Sequence, residues 1–407
     1  MAEPQDGGAE PQVPELLSAR AAAARLGVKL DTLYAYVSRG LLRSVTVPGS
    51  RKRHYRAEDI ERFRARSGGE RGREPLVPVI DSAICLIEDG RFFYRGHDAV
   101  RLAETATLEE TASLLWGDKP DAAFSTPLLR KREKVGVGVD KPSGLVERAQ
   151  LRLAMLADND LAALDLTRAG IVRTGRTILA ELVAAIVDAE PGGDPVHRRL
   201  AASWGLGEAG ADLIRRILVL LADHELNASA FVARVVASTG ATPYAVVSAA
   251  LAALSGRRHG GASARAEALF REIGDSTDPI PVMAARLARG EDLPGIGHPL
   301  YPNGDPRARA IVEATEAALP TAGDRIAAAT AAAKQLTGQH PNVDFGLGAA
   351  VTALGLPGGS ALALFVVGRT VGWIAQAIEQ YERGVLIRPR ARYTGPRPLR
   401  AVKDEAG

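Results

Sequence analysis

Three histidines stand in short stretches whose neighbours could hold them for chemistry: ADHELNAS around His224, RRHGGAS around His259, and LPGIGHPLYPNGDPRARA around His298. In the third, Pro294, Pro299, Pro302 and Pro306 each fix φ and remove an N–H, which predicts a stiff, irregular loop rather than a helix. His298 and Arg307 then ride on that loop. An imidazole and a guanidinium so held suit an anionic ligand with a carbonyl group, although an ordinary solvated connector has the same composition. His259 precedes Gly260 and Gly261 at the end of an apolar helix, where missing side chains let a ligand approach the backbone. His54, His97, His197 and His340 lie in polar or turn-like contexts and read as surface residues.

The elements that position these groups belong to a chain of 407 residues, 46% hydrophobic and 24% charged, long enough for two or three domains with a large core. The single cysteine, Cys85, excludes an internal disulfide framework and fits a reducing cytoplasm. MAEPQDGGAEPQVPE has neither the basic nor the apolar region of a secretory signal, and residues 1–13 read as a disordered tail. No stretch is expected to reach the apolar length of a membrane span. Net charge is +3, yet residues 14–66 hold 12 Lys and Arg against 5 Asp and Glu, an asymmetry that suggests a polyanion partner for one domain.

Within 14–66, Ser18 is a candidate N-cap for an Ala-rich helix ended by Gly27. LDTLYAYVSRG then places Leu30, Leu33, Tyr34 and Val37 on one helical face. LLRSVTVPGSRKRHYR reads as a hairpin wing, and AEDIERFRAR as another amphipathic helix. This order resembles the winged helix-turn-helix domains of the MerR and excisionase families. A basic helix pair that only packs on the rest of the chain is the alternative. If the unit binds DNA, Lys29, Thr32 and Tyr34 reach base edges while Arg39, Arg51, Lys52 and Arg53 meet phosphates. SGGERGREPLVP, residues 67–78, is a linker by composition. Beyond it, DSAICLIEDGRFFYRGHD predicts a hairpin turning at Asp89-Gly90, followed by Ala- and Leu-rich helices.

ADHELNASAFVARVVASTGATPYAVVSAALAALSGRRHGGA, GIGHPLYPNGDPRA, HPNVDFGLGAAVTALGLP, GRTVGWIAQAIEQ and LIRPRARYTGP follow one another in the order and approximate spacing of the citrate synthase family. The resemblance runs from about 76 to 396. It implies a mainly α fold: a large helical domain over 79–260 and 356–396, an inserted small domain over 261–355, and a tail at 397–407. It also implies an acyltransferase that makes a carbon nucleophile from an acyl-CoA thioester and adds it to a 2-oxo acid, without metal or redox cofactor. By motif, Asp344 would be the base, His259 would hydrogen-bond the thioester oxygen, and His298 would polarise the keto carbonyl. Arg307, Arg369 and Arg388 would hold carboxylates, with His224 as a further contact. Arg388 would serve a neighbouring subunit, which implies at least a homodimer.

Three positions depart from the family pattern. Pro302 stands where many members have a basic residue available to the coenzyme phosphates, Leu221 where bacterial members usually have a histidine, and Pro299 where an arginine or small residue is usual. The leading expectation is condensation of acetyl-CoA with oxaloacetate and water to citrate and CoA. The alternatives are 2-methylcitrate synthase, using propionyl-CoA, and a DNA-binding regulator that uses a citrate-synthase-like body as a ligand sensor.

Overall fold

The computed structural model describes residues 16–28, 30–38, 42, 44–46, 53–61, 80–118, 144–391 and 393–396. The tails at 1–13 and 397–407, the linker at 67–78, and Lys29, Arg39, Arg51 and Lys52 lie outside the described residues. The chain divides into two compact units, Met1–Ile80 and Asp81–Gly407.

In the first unit Ser18 caps the helix Ala19–Leu26, accepting the Ala21 N–H at 3.2 Å, and Gly27 ends it in the left-handed region at φ 67. The next helix is Leu30–Ser38. Strands Val45–Thr46 and Arg53–Arg56 pair antiparallel as the wing. Leu16–Ser18 adds a third strand on the other side of Arg53–Arg56, which periodicity over so few residues did not reveal. Ala22, Ala23, Leu33, Leu42, Tyr55 and Ile60 form the core. Tyr34 is 48% exposed rather than in the buried face, because it lies about 100° around the helix from fully buried Leu33.

The second unit opens with strands Cys85–Glu88 and Arg91–Tyr94, in register Cys85↔Tyr94 to Glu88↔Arg91, and His97–Asp98 extends the sheet. Asp89 and Gly90 both have positive φ, 50 and 72, the backbone of a two-residue hairpin loop matched to strand twist. The remainder is mainly helical. Buried Tyr94 anchors the hairpin to the body: its hydroxyl lies 3.0–3.3 Å from the Val219, Leu220 and Asp223 carbonyls and accepts the Asp223 N–H at 3.2 Å. That contact ties down the break after the helix Glu208–Leu221, where His224 sits.

The central helix is Ser360–Arg383. Contrary to the expectation from sequence, it is long and apolar enough to span a membrane by length and composition, but 94% of its most apolar window is buried inside the unit. It is a core helix. Its approach to Glu208–Leu221 depends on glycines: a Cβ at Gly368 would meet Leu221 Cβ at 2.8 Å, and one at Gly372 would overlap the Ala222 carbonyl. His197, expected at the surface, is only 7% exposed, because it occupies the inner face of the helix Val196–Ser203.

A second buried cluster draws on residues between Leu269 and Ala349, including Phe270, Met283, Ile326 and Phe345. Here the helix Val343–Ala353 packs between Gly261–Ile273 and Pro306–Ala318. A Cβ on Gly348 would meet the Ala266 backbone at 2.8 Å, and one on Gly346 would lie 3.3 Å from Ala308 Cα. Gly348→Ala should therefore cost about 1–3 kcal/mol of stability, since neither helix backbone can yield cheaply. Gly323→Ala, whose added Cβ finds only Glu316 Cγ at 3.8 Å, should change it by no more than about 1 kcal/mol. Urea unfolding of both variants checks the contrast, and equal small effects would refute it.

Candidate active site

Six side chains named from sequence meet at one cavity of about 560 Å³: His224, His259, His298, Arg307, Asp344 and Arg369. Arg388 is exposed and does not line it. A smaller cavity of about 380 Å³ lies among Ala103, Leu213, Arg216 and Ala314 and holds none of these groups.

Asp344 occupies the first turn of Val343–Ala353, where the Asn342 side chain caps the helix by accepting the Asp344 N–H at 2.9 Å. Burial pushes its carboxyl up to about 6, against the Ser263 hydrogen bond and the Arg307 charge, which favour the ionised form. His298 is fixed by the loop before it. Gly295, at φ 82, comes so close to the Phe345 backbone that a Cβ would lie 2.6 Å from its nitrogen. The Asn342 N–H donates to the Gly295 carbonyl, and the Gly297 N–H to the His340 carbonyl, each at 2.8 Å. His298 Nδ1 accepts the Leu300 N–H at 3.2 Å. With burial and Arg307 both lowering its pKa, the neutral ring carries its proton on Nε2.

His259 lies on the turn between the helices Pro243–Leu254 and Gly261–Ile273, with Nε2 2.7 Å from Ser229 Oγ. Buried Ser229 is also 2.9 Å from Asn227 Oδ1 and accepts from Trp373 Nε1 at 3.1 Å. A serine has one proton to give. If it goes to Asn227, neutral His259 must donate from Nε2; if it turns to His259, the ring donates from Nδ1 instead. Asn227 Oδ1 still accepts the Ala230 N–H at 3.1 Å, so the second arrangement orphans no group. Burial, aided by Arg369, pushes the His259 imidazole down to about 4, so it is neutral near pH 7.

His224 Nε2 is 2.8 Å from the Tyr301 hydroxyl, and the His224 and His298 rings stand perpendicular with centroids 5.6 Å apart. Burial and the nearby Arg307 and Arg369 charges hold His224 neutral. Arg307 is not on the loop as the proline pattern suggested. Pro306 opens the helix Pro306–Ala318, its missing N–H being harmless at that position, and Arg307 falls in the first turn. Its Nε and Nη2 donate to Asp305 at 3.0 and 2.7 Å, and Asp305 also accepts the Arg307 and Val343 N–H groups. Arg369 Nε donates to the Leu221 carbonyl at 2.8 Å, its guanidinium lies 5.0 Å from the Phe365 ring, and its buried Nη2 has no hydrogen-bond partner among the described residues.

Sequence reasoning missed Asp305, Ser229, Ser263 and Tyr301. Asp305 had a visible signal, an Asp immediately before a proline that opens a helix; the two serines had none. Arg257 and Arg258 line the cavity as exposed side chains beside His259, and Arg265 on the same rim pairs with Asp292 at 2.5 Å. Pro299 also lines the cavity, whereas Pro302 is exposed and does not. In the first unit Thr32 is half-buried, while Tyr34 and Arg53 are exposed.

Residues 16–68 match the helix-turn-helix domain family, and residues 76–390 match the family described as citrate synthase, C-terminal domain. The citrate synthase of Haloferax volcanii is 33% identical over 368 residues, 81% of this chain and 97% of its own. A 2-methylcitrate synthase of Mycobacterium tuberculosis is 31% identical over 340 residues, 74% of this chain and 84% of its own. The crystal structure of citrate synthase from Thermotoga maritima superposes with a TM-score of 0.65 at 27% identity, covering 80% of this chain and 96% of that one. Shared helices, shared length and the order of the cavity-lining motifs agree: from residue 76 onward this chain belongs to the citrate synthase family.

Proposed function

We propose that the second unit condenses acetyl-CoA with oxaloacetate and water to give citrate and CoA. The observation that carries the reading is Arg369: a buried guanidinium with an orphan Nη2, in a cavity shared with three histidines and a carboxylate, calls for an anionic ligand. Arg307 and Arg369 hold the carboxylates of the oxo acid, with His224 as a further contact. His298 donates from Nε2 to the keto oxygen. Asp344 removes a proton from the thioester methyl while His259, neutral, donates to the enolate oxygen, which requires Ser229 to turn its proton to His259 Nε2. The enolate carbon adds to the keto carbon, and His298 gives its Nε2 proton to the new alkoxide; the proton held by Asp344 is equivalent to the one the ring must regain, so both groups are reset before the next turnover. Water then cleaves the thioester and releases CoA.

The residues between 261 and 355 act as the small domain that closes over the substrates. Arg388 serves the site of a second subunit, so the active form is a homodimer or larger. Arg257 and Arg258 take the coenzyme phosphates in place of the basic group absent at Pro302. This chemistry calls for no metal or redox cofactor, and the single cysteine fits a reducing cytoplasm. Propionyl-CoA is the alternative acyl donor, because one methylene in an apolar pocket alters binding by only about 1–3 kcal/mol.

A thiol-release assay with acetyl- and propionyl-CoA on the full chain tests the reading; no CoA release with either donor sinks it. Asp344→Asn should lower kcat by roughly 100- to 10,000-fold while leaving oxaloacetate binding near normal, since the base acts on the thioester. Because the carboxyl is raised to about 6, protonation disables the base as pH falls through that value. The kcat/KM for the acyl-CoA should therefore fall about tenfold per pH unit below it. Near-normal turnover of the Asn variant, or a flat profile across that range, removes Asp344 from the role.

A second reading concerns the first unit, which we infer binds DNA. Its match to a helix-turn-helix family and the 12 basic against 5 acidic residues over 14–66 support this. Binding should weaken steeply with salt, and Arg53→Ala should reduce the log–log slope by about one unit through loss of a phosphate contact. Gel shifts of the full chain against genomic fragments decide it. No complex with any fragment at low salt leaves the unit as a packing element.

A further inference from the structure

We propose that Ser263 is a positioning residue for the base: its hydroxyl pins Asp344 Oδ1, so that Oδ2 alone faces the thioester and takes the proton. The proposal rests on reading Asp344 as that base. Ser263 lies in the first turn of Gly261–Ile273, fully buried, and its Oγ donates to Asp344 Oδ1. It has no other side-chain hydrogen bond among the described residues. Ser263 and Ala266 are three apart on one helix, and Asp344 and Gly348 four apart on the other, so each pair shares a face. The bare backbone of Gly348 against Ala266 sets the helix separation at which the serine and the carboxylate meet one turn away.

A carboxylate free to turn about its terminal torsion, which is broad, presents either oxygen and a range of angles. A proton abstraction needs one oxygen held within hydrogen-bond reach of the C–H, and a misplaced base loses rate. Ser263 removes that freedom. It also favours the ionised carboxylate, opposing burial. The other groups that set the charge around Asp344 are Arg307 and Asp305 at the start of Pro306–Ala318 and Arg369 from Ser360–Arg383. His259, His298 and Arg265 line the same cavity. Arg307 is matched by Asp305, whereas the serine is a neutral donor bonded to the carboxylate directly.

Removing the hydroxyl withdraws support from the ionised form, and the acid limb of kcat/KM for acetyl-CoA should move up by about one pH unit in Ser263→Ala. Below the limb the loss is about tenfold, with little change in KM for oxaloacetate; Ser263→Thr, which keeps the hydroxyl, should return the limb to its place. A purely structural serine would lower activity by the same factor at every pH and leave the limb unmoved, which would overturn the proposal. Stability provides a readout independent of turnover. Urea unfolding of Ser263→Ala in the natural chain and in an Asp344→Ala background should show coupling at about pH 8, worth about tenfold in the unfolding constant, that shrinks at about pH 5. Absence of coupling at about pH 8, or coupling of the same size at both pH values, overturns the assignment. A natural chain that releases no CoA from any donor would instead sink the functional reading and leave this cycle to decide the serine.

Discussion

Val343–Ala353 can lie between two neighbouring helices only because Gly346 and Gly348 carry no side chains where those neighbours press closest. The rest of the cavity depends on that approach. It brings the Val343 N–H to Asp305, so the carboxylate that pairs with Arg307 also secures the start of the helix that carries Asp344. It lets the backbone around 340–342 hydrogen-bond the Gly295–Gly297 loop that carries His298. The same device recurs on Ser360–Arg383, where Gly368 and Gly372 flank Arg369 and allow its Nε to reach the Leu221 carbonyl. Asp344, His298 and Arg369 are thus placed by backbone proximity, which a side chain at any of these four glycines would disturb.

Electrostatics follow from the same compactness. Two arginines, three aspartates and three histidines (Arg307, Arg369, Asp223, Asp305, Asp344, His224, His259 and His298) crowd one largely buried region, and their titrations separate. Asp305 stays ionised because Arg307 is bonded to it directly. Asp223 and Asp344 lack a direct ion pair among the described residues, and burial raises each to about 6. The histidines are driven neutral by burial and by the neighbouring guanidinia, so each keeps one N–H to donate without adding charge to the region. The aspartates are therefore separated by pairing, not by residue type.

The hairpin turn at Asp89-Gly90, the cap at Ser18, the irregular stretch before Pro306 and six of the seven site residues were legible because each rests on local chemistry or on an ordered motif. Arg307 was misplaced on a loop because Pro306 reads as a breaker unless the preceding Asp is recognised as a cap, when the same proline becomes a helix start. Ser229 and Ser263 could not be found by pattern: their importance lies in contacts 30 and 81 residues away, to His259 and Asp344. The burial of Ser360–Arg383 was illegible for a related reason, since a helix apolar on all sides looks alike in a membrane and in the middle of a protein.

The departures from the family pattern are easier to interpret once backbone and side-chain roles are separated. Leu221 lacks the imidazole usual at its place, yet what Arg369 uses there is the carbonyl, which every residue supplies, and the leucine side chain is fully buried against Gly368. Substitution at 221 thus removes a polar group without freeing the arginine. Pro302 is different. It is exposed and outside the cavity lining, so no contact to the reacting groups is lost, and the missing charge concerns only a ligand segment reaching the rim. Arg257 and Arg258 place two guanidinia on that rim beside His259, in a turn whose geometry is set by the Gly261 and His259 N–H groups donating to the Gly256 carbonyl. The rim arginines thus come from the turn that also carries His259, whereas Pro302 stands on the loop after His298, outside the lining.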